Sequence, residues 1–544
     1  MRVYNYIAIF FINIKPSFAY SKSTTDYTSQ DETLDEDRTL TNQSTLSSFV
    51  DNRVKNFSNE ISVTKKFGNK GAFLRFGLDN SFNNSESEDF INSNTEVFGS
   101  SPETINRNQF TDGDNSSNNL QTDISYRLPI IEKEFFVSFD YEYQHNKDEN
   151  KQSTFDYNTI TDGFDTFNEL LSTDFEYTDI KSAPGVSLSY NKEKWSARIG
   201  ADYVSRTLKN QDGLRPQFNV ERDFKAVELR SNFNYRFSKK ASIYANYRLS
   251  NRPPSLRQLQ AFEDVSNPLN TVVGNPNLEP TNEHSFYMGF NAYNWQERSG
   301  FYMYANISRS QNAVVSRTTI DPATLKRITT YDNVDGNQSG YFGVDYSKKF
   351  KIDSLQSVRF KIGNWSNFSK NINYNNDVQY ASNVLEFNPN FGIDYVYSTV
   401  FEFKPRYRIS FTNNKYDIDA FEDRNFTSHN LDLNTAFFLP KGLEWRNDIT
   451  YNYNPNIADG FQKDAWFWNA SVAYSVLKDK GLVTLKVYDL LNQNTNARRT
   501  ATNDYIQDTQ STVLRQYFML NFSWKFNSLG SKGETRDNGM YYMD

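Results

Sequence analysis

Residues 513–526 read VLRQYFMLNFSWKF. Leu514, Phe518, Leu520, Phe522, Trp524 and Phe526 fall on one side of a two-residue period. Arg515, Tyr517, Asn521, Ser523 and Lys525 fall on the other. A helix would carry the charges round onto the apolar side every few residues, whereas a strand keeps the two sets apart. The pattern recurs. Phe135, Val137, Phe139, Tyr141 and Tyr143 alternate with Ser138, Asp140 and Glu142. Trp195, Ala197, Ile199, Ala201 and Tyr203 alternate with Ser196, Arg198 and Asp202. Trp466, Trp468, Ala470, Val472, Tyr474 and Val476 form a further outer set, with Asn469, Ser471 and Ser475 on the opposite face.

Composition narrows what such strands build. A chain of 544 residues is three or four soluble domains or one very large closed β architecture. Mean hydropathy is −0.74, polar for a membrane protein. Yet aromatics reach 16%, which excludes disorder as the reading. Both numbers suit a transmembrane β-barrel, in which every second strand residue faces lipid while lumen and loops are polar. No apolar run is long enough for a membrane helix, which leaves a barrel open because it satisfies its backbone without helices. The net charge of −7 gives no nucleic-acid footprint. The lack of cysteine removes disulfides, zinc–thiolate sites and thiol nucleophiles.

Connections alternate in length. Short turns fall at Gly68–Gly71, Asn191–Lys194, Ser238–Lys240, Pro440–Gly442 and Lys478–Gly481. Long polar loops are expected at Ser85–Asn118, Lys147–Asp174, Lys209–Arg222, Asn251–Asn282 and Gln493–Thr509. Short turns at one rim and long loops at the other are the mark of outer-membrane barrels, with periplasmic turns and extracellular loops. About 19 strands follow Lys55, each needing roughly 9–11 residues to cross. The first and last of these both descend, so an even-numbered barrel needs a further strand before Lys55.

The fold expected is therefore all-β: a large antiparallel transmembrane β-barrel of about 19–22 strands, in which either Tyr4–Tyr20 supplies the early strand or the N-terminal side is incomplete. Residues 1–20 read either as a signal-like segment, with Arg2, an apolar stretch from Tyr6 to Ile14 and a small residue at Ala19, or as a residual early strand. Residues 21–54, acidic and rich in Ser and Thr, read as a flexible polar loop, 55–527 as the barrel, and 528–544 as a disordered tail.

Residues 252–280, RPPSLRQLQAFEDVSNPLNTVVGNPNLEP, join two alternating runs by a connection stiff with proline. Asn275 before Pro276 is pushed toward extended geometry, and Gly274 takes conformations other residues resist. Here the chain resembles the mid-barrel signature of TonB-dependent outer-membrane receptors, an R-x-P-S-x-x-x-L element followed by G-N-P-x-L-x-P and a strand. The matching residues are Arg252, Pro254, Ser255, Leu259, Gly274, Asn275, Pro276, Leu278 and Pro280. SYRLPIIEKEFFVSFDYEY (125–143) resembles the family's tyrosine–proline hairpin, and LVTLKVYDLLNQN (482–494) its penultimate strand. The branch resembled is the outer membrane protein β-barrel family, over roughly 55–527.

The resemblance implies a 22-stranded barrel, a plug domain in the lumen and energy coupling through a TonB box. No plug and no TonB box are read in this chain, so about three strands and the plug are expected to be missing from its front. The implied role is uptake of a large nutrient (a chelated metal, glycan or peptide), with active transport by this chain alone in question. The alternatives are a plugless passive pore or surface-scaffold barrel and, further off, an outer-membrane enzyme. Implied partners are outer-membrane lipid, a TonB-type energy-coupling complex where a plug is supplied, and a surface lipoprotein; nucleic acid is not among them. The location implied is the outer membrane of a Gram-negative bacterium.

Catalytic chemistry is thinly represented. His145, His284 and His429 each fall near a loop–strand junction, without metal-binding spacing. Asp112, Asp114 and Ser116 alternate as calcium ligands do but lack the distal Glu, and read as polar loop. No GxSxG, Walker loop or dinucleotide fingerprint occurs. No catalytic, cofactor or metal residue is assigned, and no cofactor is expected. Asp140, Glu142, Arg198, Asp202, Arg248 and Lys486 are charges on an inner wall. Trp195, Trp445, Trp466 and Trp524 suit interfacial girdles.

Overall fold

The protein is described by a computed structural model covering residues 10–35, 37–98, 102–322, 324–478, 480–494, 496–501 and 506–525. The first nine residues, Phe526 and the tail 528–544 lie outside the described residues.

In chain order the strands are β1 (Phe10–Leu34), β2 (Leu40–Phe67), β3 (Ala72–Val97), β4 (Glu103–Ile131), β5 (Phe135–Asn158), β6 (Gly163–Phe167) and β7 (Thr173–Asn191). Then come β8 (Trp195–Asp212), β9 (Val220–Ser238), β10 (Ala241–Arg252), a single helical turn α1 (Leu256–Leu259), β11 (Glu263–Asn267) and β12 (Asn270–Val273). They continue with β13 (Thr281–Asn294), β14 (Ser299–Gln311), β15 (Ala313–Ile320), β16 (Arg327–Val334), β17 (Gln338–Lys351), β18 (Gln356–Asn375), β19 (Val378–Tyr397) and β20 (Phe401–Tyr416). The last are β21 (Arg424–Leu439), β22 (Leu443–Tyr453), β23 (Asp464–Val476), β24 (Gly481–Tyr488), β25 (Arg498–Ala501), β26 (Ile506–Thr509) and β27 (Tyr517–Trp524).

One sheet holds 21 strands. Leaving out the short β6, which lies beside the end of β5, each wall strand pairs antiparallel with the next along the chain, from β1 to β27. β1 runs up from the short-turn rim and β27 runs down toward it, so the two edges are antiparallel to each other.

The period-two faces are real. Along β27, Phe518, Leu520 and Phe522 stand opposite Val487, Leu485 and Val483 of β24. Along β18, Phe360, Ile362 and Phe368 are exposed on the same side. A protein that exposes so many large side chains in water would aggregate; here the apolar set is the lipid-facing surface. Hydrogen bonding between strands satisfies the backbone across that zone. The turn at 68–71 needs left-handed backbone at Gly68 (φ 61°) and Gly71 (φ 97°), which glycine adopts at no steric cost.

Three expectations are corrected. Residues 21–54 are not a flexible loop: β1 and β2 pair residue for residue from Phe10↔Lys65 to Thr33↔Asn42. β1 is the strand that parity demanded ahead of Lys55, and its outward set is Phe10, Ile12, Ile14, Phe18 and Tyr20. The wall therefore has 20 strands among the described residues, one more than the 19 counted after Lys55. The loops expected at 85–118 and 147–174 are also largely strand. β3 and β4 pair from Phe73↔Arg127 to Val97↔Glu103, and β5 reaches Asn158.

One physical reason covers all three. β2, β3 and β4 span 28, 26 and 29 residues, while about 9–11 cross a bilayer. Above the membrane both faces meet water, so the apolar alternation disappears although the ladder continues. Cross-strand polar pairs take over: Ser44–Thr95 at 2.9 Å, Gln43–Glu96 at 2.7 Å and Thr111–Thr154 at 3.0 Å.

Candidate functional site at the extracellular mouth

The connection at 253–280 is folded. Ser255 starts α1, its backbone N–H donating to Gln258 Oε1 at 2.8 Å in a capping box. The chain then loops back: Gly274 N donates to Gln260 O and Asn275 N to Gln258 O, both at 2.7 Å. A Cβ at Gly274 would stand 2.1 Å from Gln260 O, so only glycine fits this approach. Asn275 donates through Nδ2 to Tyr331 O at 3.0 Å and accepts from Asn277 N at 3.0 Å. Leu259 and Leu278, each 1% exposed, join Tyr177, Leu208 and Phe224 from the wall in a small hydrophobic core. Tyr177 donates its hydroxyl to Pro254 O at 3.2 Å. Arg222 holds Pro276 O at 2.8 Å and Glu279 at 3.0 Å, and Arg252 pairs with Glu283 at 2.7 Å. Pro280 is buried. Eight of the nine motif residues thus sit in the folded connection and Arg252 ends β10; Pro254, Leu259, Pro276 and Leu278 make the contacts that hold the connection against β7, β8 and β9.

That connection is half of a larger unit. β11 and β12 pair with the hairpin β15–β16 in a four-stranded sheet, the β12–β16 contact being parallel. The hairpin leaves the wall after β14 and returns at β17, and from there the sheet reaches distant strands. Lys326, between β15 and β16, pairs with Glu103 on β4. Arg107 on β4 donates to the carbonyls of Ser266 and Val265. Thr324 O accepts from Asn42 on β2 at 3.4 Å. Along the wall, seven pairings separate β4 from β14 (β4–β5–β7–β8–β9–β10–β13–β14). The sheet is therefore a strap across the mouth. At its near end Arg317 donates to Asp377 at 2.7 Å, a hydrogen bond that raises the guanidinium pKa further.

Beneath the strap, the lumen wall from β3 to β10 is ionic. Arg230 bridges Asp140 (2.8 Å) and Asp202 (2.6 Å), while Lys181 bridges Glu142 (3.3 Å) and Glu228 (3.6 Å). At the rim, Arg215 is buried against Asp212 at 3.1 Å, donates to Ser172 O at 2.9 Å and lies 3.6 Å over Phe262.

A family model described as the outer membrane protein beta-barrel family matches residues 65–524. The chain belongs to that family. Comparison with curated proteins gave no match. Among solved structures, the copper transporter OprC is 10% identical over 81% of this chain and 74% of its own, with a TM-score of 0.44. The ferripyoverdine receptor of the outer membrane of Pseudomonas aeruginosa is 11% identical over 95% and 71%, with a TM-score of 0.42. The outer membrane transporter YddB from Escherichia coli is 9% identical over 95% and 74%, with a TM-score of 0.41. This barrel-family protein resides in the outer membrane.

The other residues singled out from this barrel's sequence do not converge. His145, His284 and His429 lie on β5, β13 and β21. His284 meets Tyr247 at 2.9 Å and His429 meets Tyr407 at 2.7 Å, both on the outer face near the upper rim. Asp112, Asp114 and Ser116 are in strand β4, where Asn84 donates to Asp114 and Ser116 to Glu149. No group of three or more potential metal ligands occurs among the described residues. The strap's anchors, Arg107, Lys326 and Asn42, were not legible in sequence, because each partner lies more than 150 residues away.

Proposed function

We propose that this chain is the barrel of an outer-membrane uptake receptor whose extracellular mouth is closed by the strap. The observation supporting this reading is the bonding of the β11–β12–β16–β15 sheet to β2 and β4, far round the wall from its origin. A passive pore has no use for a sheet held across its entrance. Energy coupling, where it occurs, would act through a TonB-type complex on a plug. The ionic wall around Arg230 is a polar surface suited to face either a plug or water. No catalytic role is proposed, since the three histidines stand on separate strands.

The test is conductance of the purified barrel in planar bilayers. The receptor reading expects a silent or rarely open wild type and sustained current in an Arg107→Ala, Lys326→Ala double variant. A wide steady current through the wild type would favour the passive pore instead.

A further inference from the structure

The wall around Arg230 is ionic. The inward faces of β13 and β14 are not, although Arg248 on β10 and Asp345 on β17 flank them. Outward residues of β13 and β14 include Phe286 opposite Ile307 and Phe290 opposite Met303. Their neighbours therefore face the lumen. From Ser285 to Tyr293 and from Gly300 to Ser310 that inward set is only Ser, Tyr, Gly and Asn, without one charge.

Within it lies a run of rings. A Cβ on Gly289 would stand 2.3 Å from Tyr244 Cζ, and one on Gly343 would stand 2.1 Å from Tyr304 Cε2 and Cζ. Each ring therefore lies across a glycine, one face on the backbone and the other toward the lumen. Tyr287 joins Tyr244 hydroxyl to hydroxyl at 3.0 Å. Tyr341 and Trp365 stack at 4.8 Å with planes 19° apart, and Tyr304 meets Trp365 at 5.3 Å. Trp365 remains 37% exposed. Seating a ring on a glycine strengthens a strand pair, which accounts for Tyr244 and Tyr304. It does not account for Tyr287, Tyr341 and Trp365, nor for the absence of inward charge on β13 and β14.

Resting on the uptake reading, we infer that this wall is a binding surface for neutral sugar rings. Tyrosine, serine, asparagine and glycine together supply rigid ring faces and adaptable hydrogen bonds at low entropic cost. A pyranose needs both, a ring face against its C–H groups and hydroxyl or amide partners at its edge. A chelated metal anion would need cations here, and β13 and β14 offer none at this level.

The test uses the full chain refolded in detergent, with maltohexaose and cellohexaose as neutral probes and tri-galacturonate as an anionic one. Saturation-transfer NMR should show transfer to the ring protons of a neutral hexasaccharide and not to the galacturonate. Tyr304→Ala and Trp365→Ala should each weaken binding about fivefold, the loss expected for one stacked ring. Tyr304→Phe, which keeps the ring on Gly343, should stay within about twofold and guards against loss of folding. Absence of transfer to both neutral sugars, or unchanged binding in Tyr304→Ala, overturns the inference. The bilayer conductance of the wild type separates the two readings. A silent wild type without sugar binding removes this inference alone, whereas sugar binding together with a wide steady wild-type current removes the receptor reading and leaves the surface intact.

Discussion

Arg107 on β4 donates through Nη2 to the backbone carbonyl of Val265 at 2.7 Å, joining residues 158 positions apart. This bond and the Lys326–Glu103 pair fasten the strap to the wall opposite its origin. The bond from a charged donor to a carbonyl contributes about 1.5–3 kcal/mol. Arg107→Ala should therefore accelerate hydrogen exchange across β11, β12, β15 and β16 while the wall strands exchange at their wild-type rate. Equal acceleration in wall and sheet would show that Arg107 supports the barrel and not the strap.

Leu259 is 1% exposed in the small core under the strap. Leu259→Ala should cost about 2–5 kcal/mol, the usual penalty for emptying such a site. Gly274→Ala places a methyl group against Gln260 O and should cost about 1–3 kcal/mol. Gly163→Ala, with open space around its Cβ, should stay within about 0.5 kcal/mol. Protease sensitivity of residues 253–280 reports all three.

Arg215 and Asp212 form a buried pair with side chains 9% and 0% exposed. Asp212 also accepts from the backbone N–H of Leu214 and Arg215, each at 2.9 Å. Removing Arg215 leaves that carboxylate buried and unpaired, at a cost of about 3–5 kcal/mol. Arg215→Ala should loosen the rim formed by 168–172 and 212–219, seen as new proteolytic cuts there. Arg252→Ala removes a pair whose arginine is 69% exposed and should cost no more than about 1 kcal/mol.

What the sequence revealed and what it hid follow from where water is. Within the hydrocarbon zone lipid enforces alternation, so Phe135–Tyr143 and Phe518–Trp524 declare their faces residue by residue. Above it, strands such as Asn42–Asp51 carry polar residues on both faces and read as loop, although backbone pairing continues unbroken. The nine motif residues were visible because proline, glycine and the leucine spacing are local signals. The core that Leu259 and Leu278 build with Tyr177, Leu208 and Phe224 was not visible, since those partners come from three other strands. Arg230 escaped for the same reason: its partners Asp140 and Asp202 lie 90 and 28 residues away.

Leu520 faces outward opposite Leu485, and Asn521 faces inward opposite Thr484. Arginine at position 520 should cost about 2–4 kcal/mol where it meets mid-bilayer, and arginine at 521 far less. Folding titrations into lipid vesicles measure both.

The central claim is that alternate wall residues touch hydrocarbon while their neighbours face the lumen. A single-cysteine scan over residues 135–143, spin-labelled in lipid vesicles, tests it most directly, in a chain with no native cysteine to interfere. Labels at 135, 137, 139, 141 and 143 should collide with dissolved oxygen, and those at 136, 138, 140 and 142 with a water-soluble nickel complex. Accessibility that repeats every three to four residues, or that shows no alternation, would contradict the account.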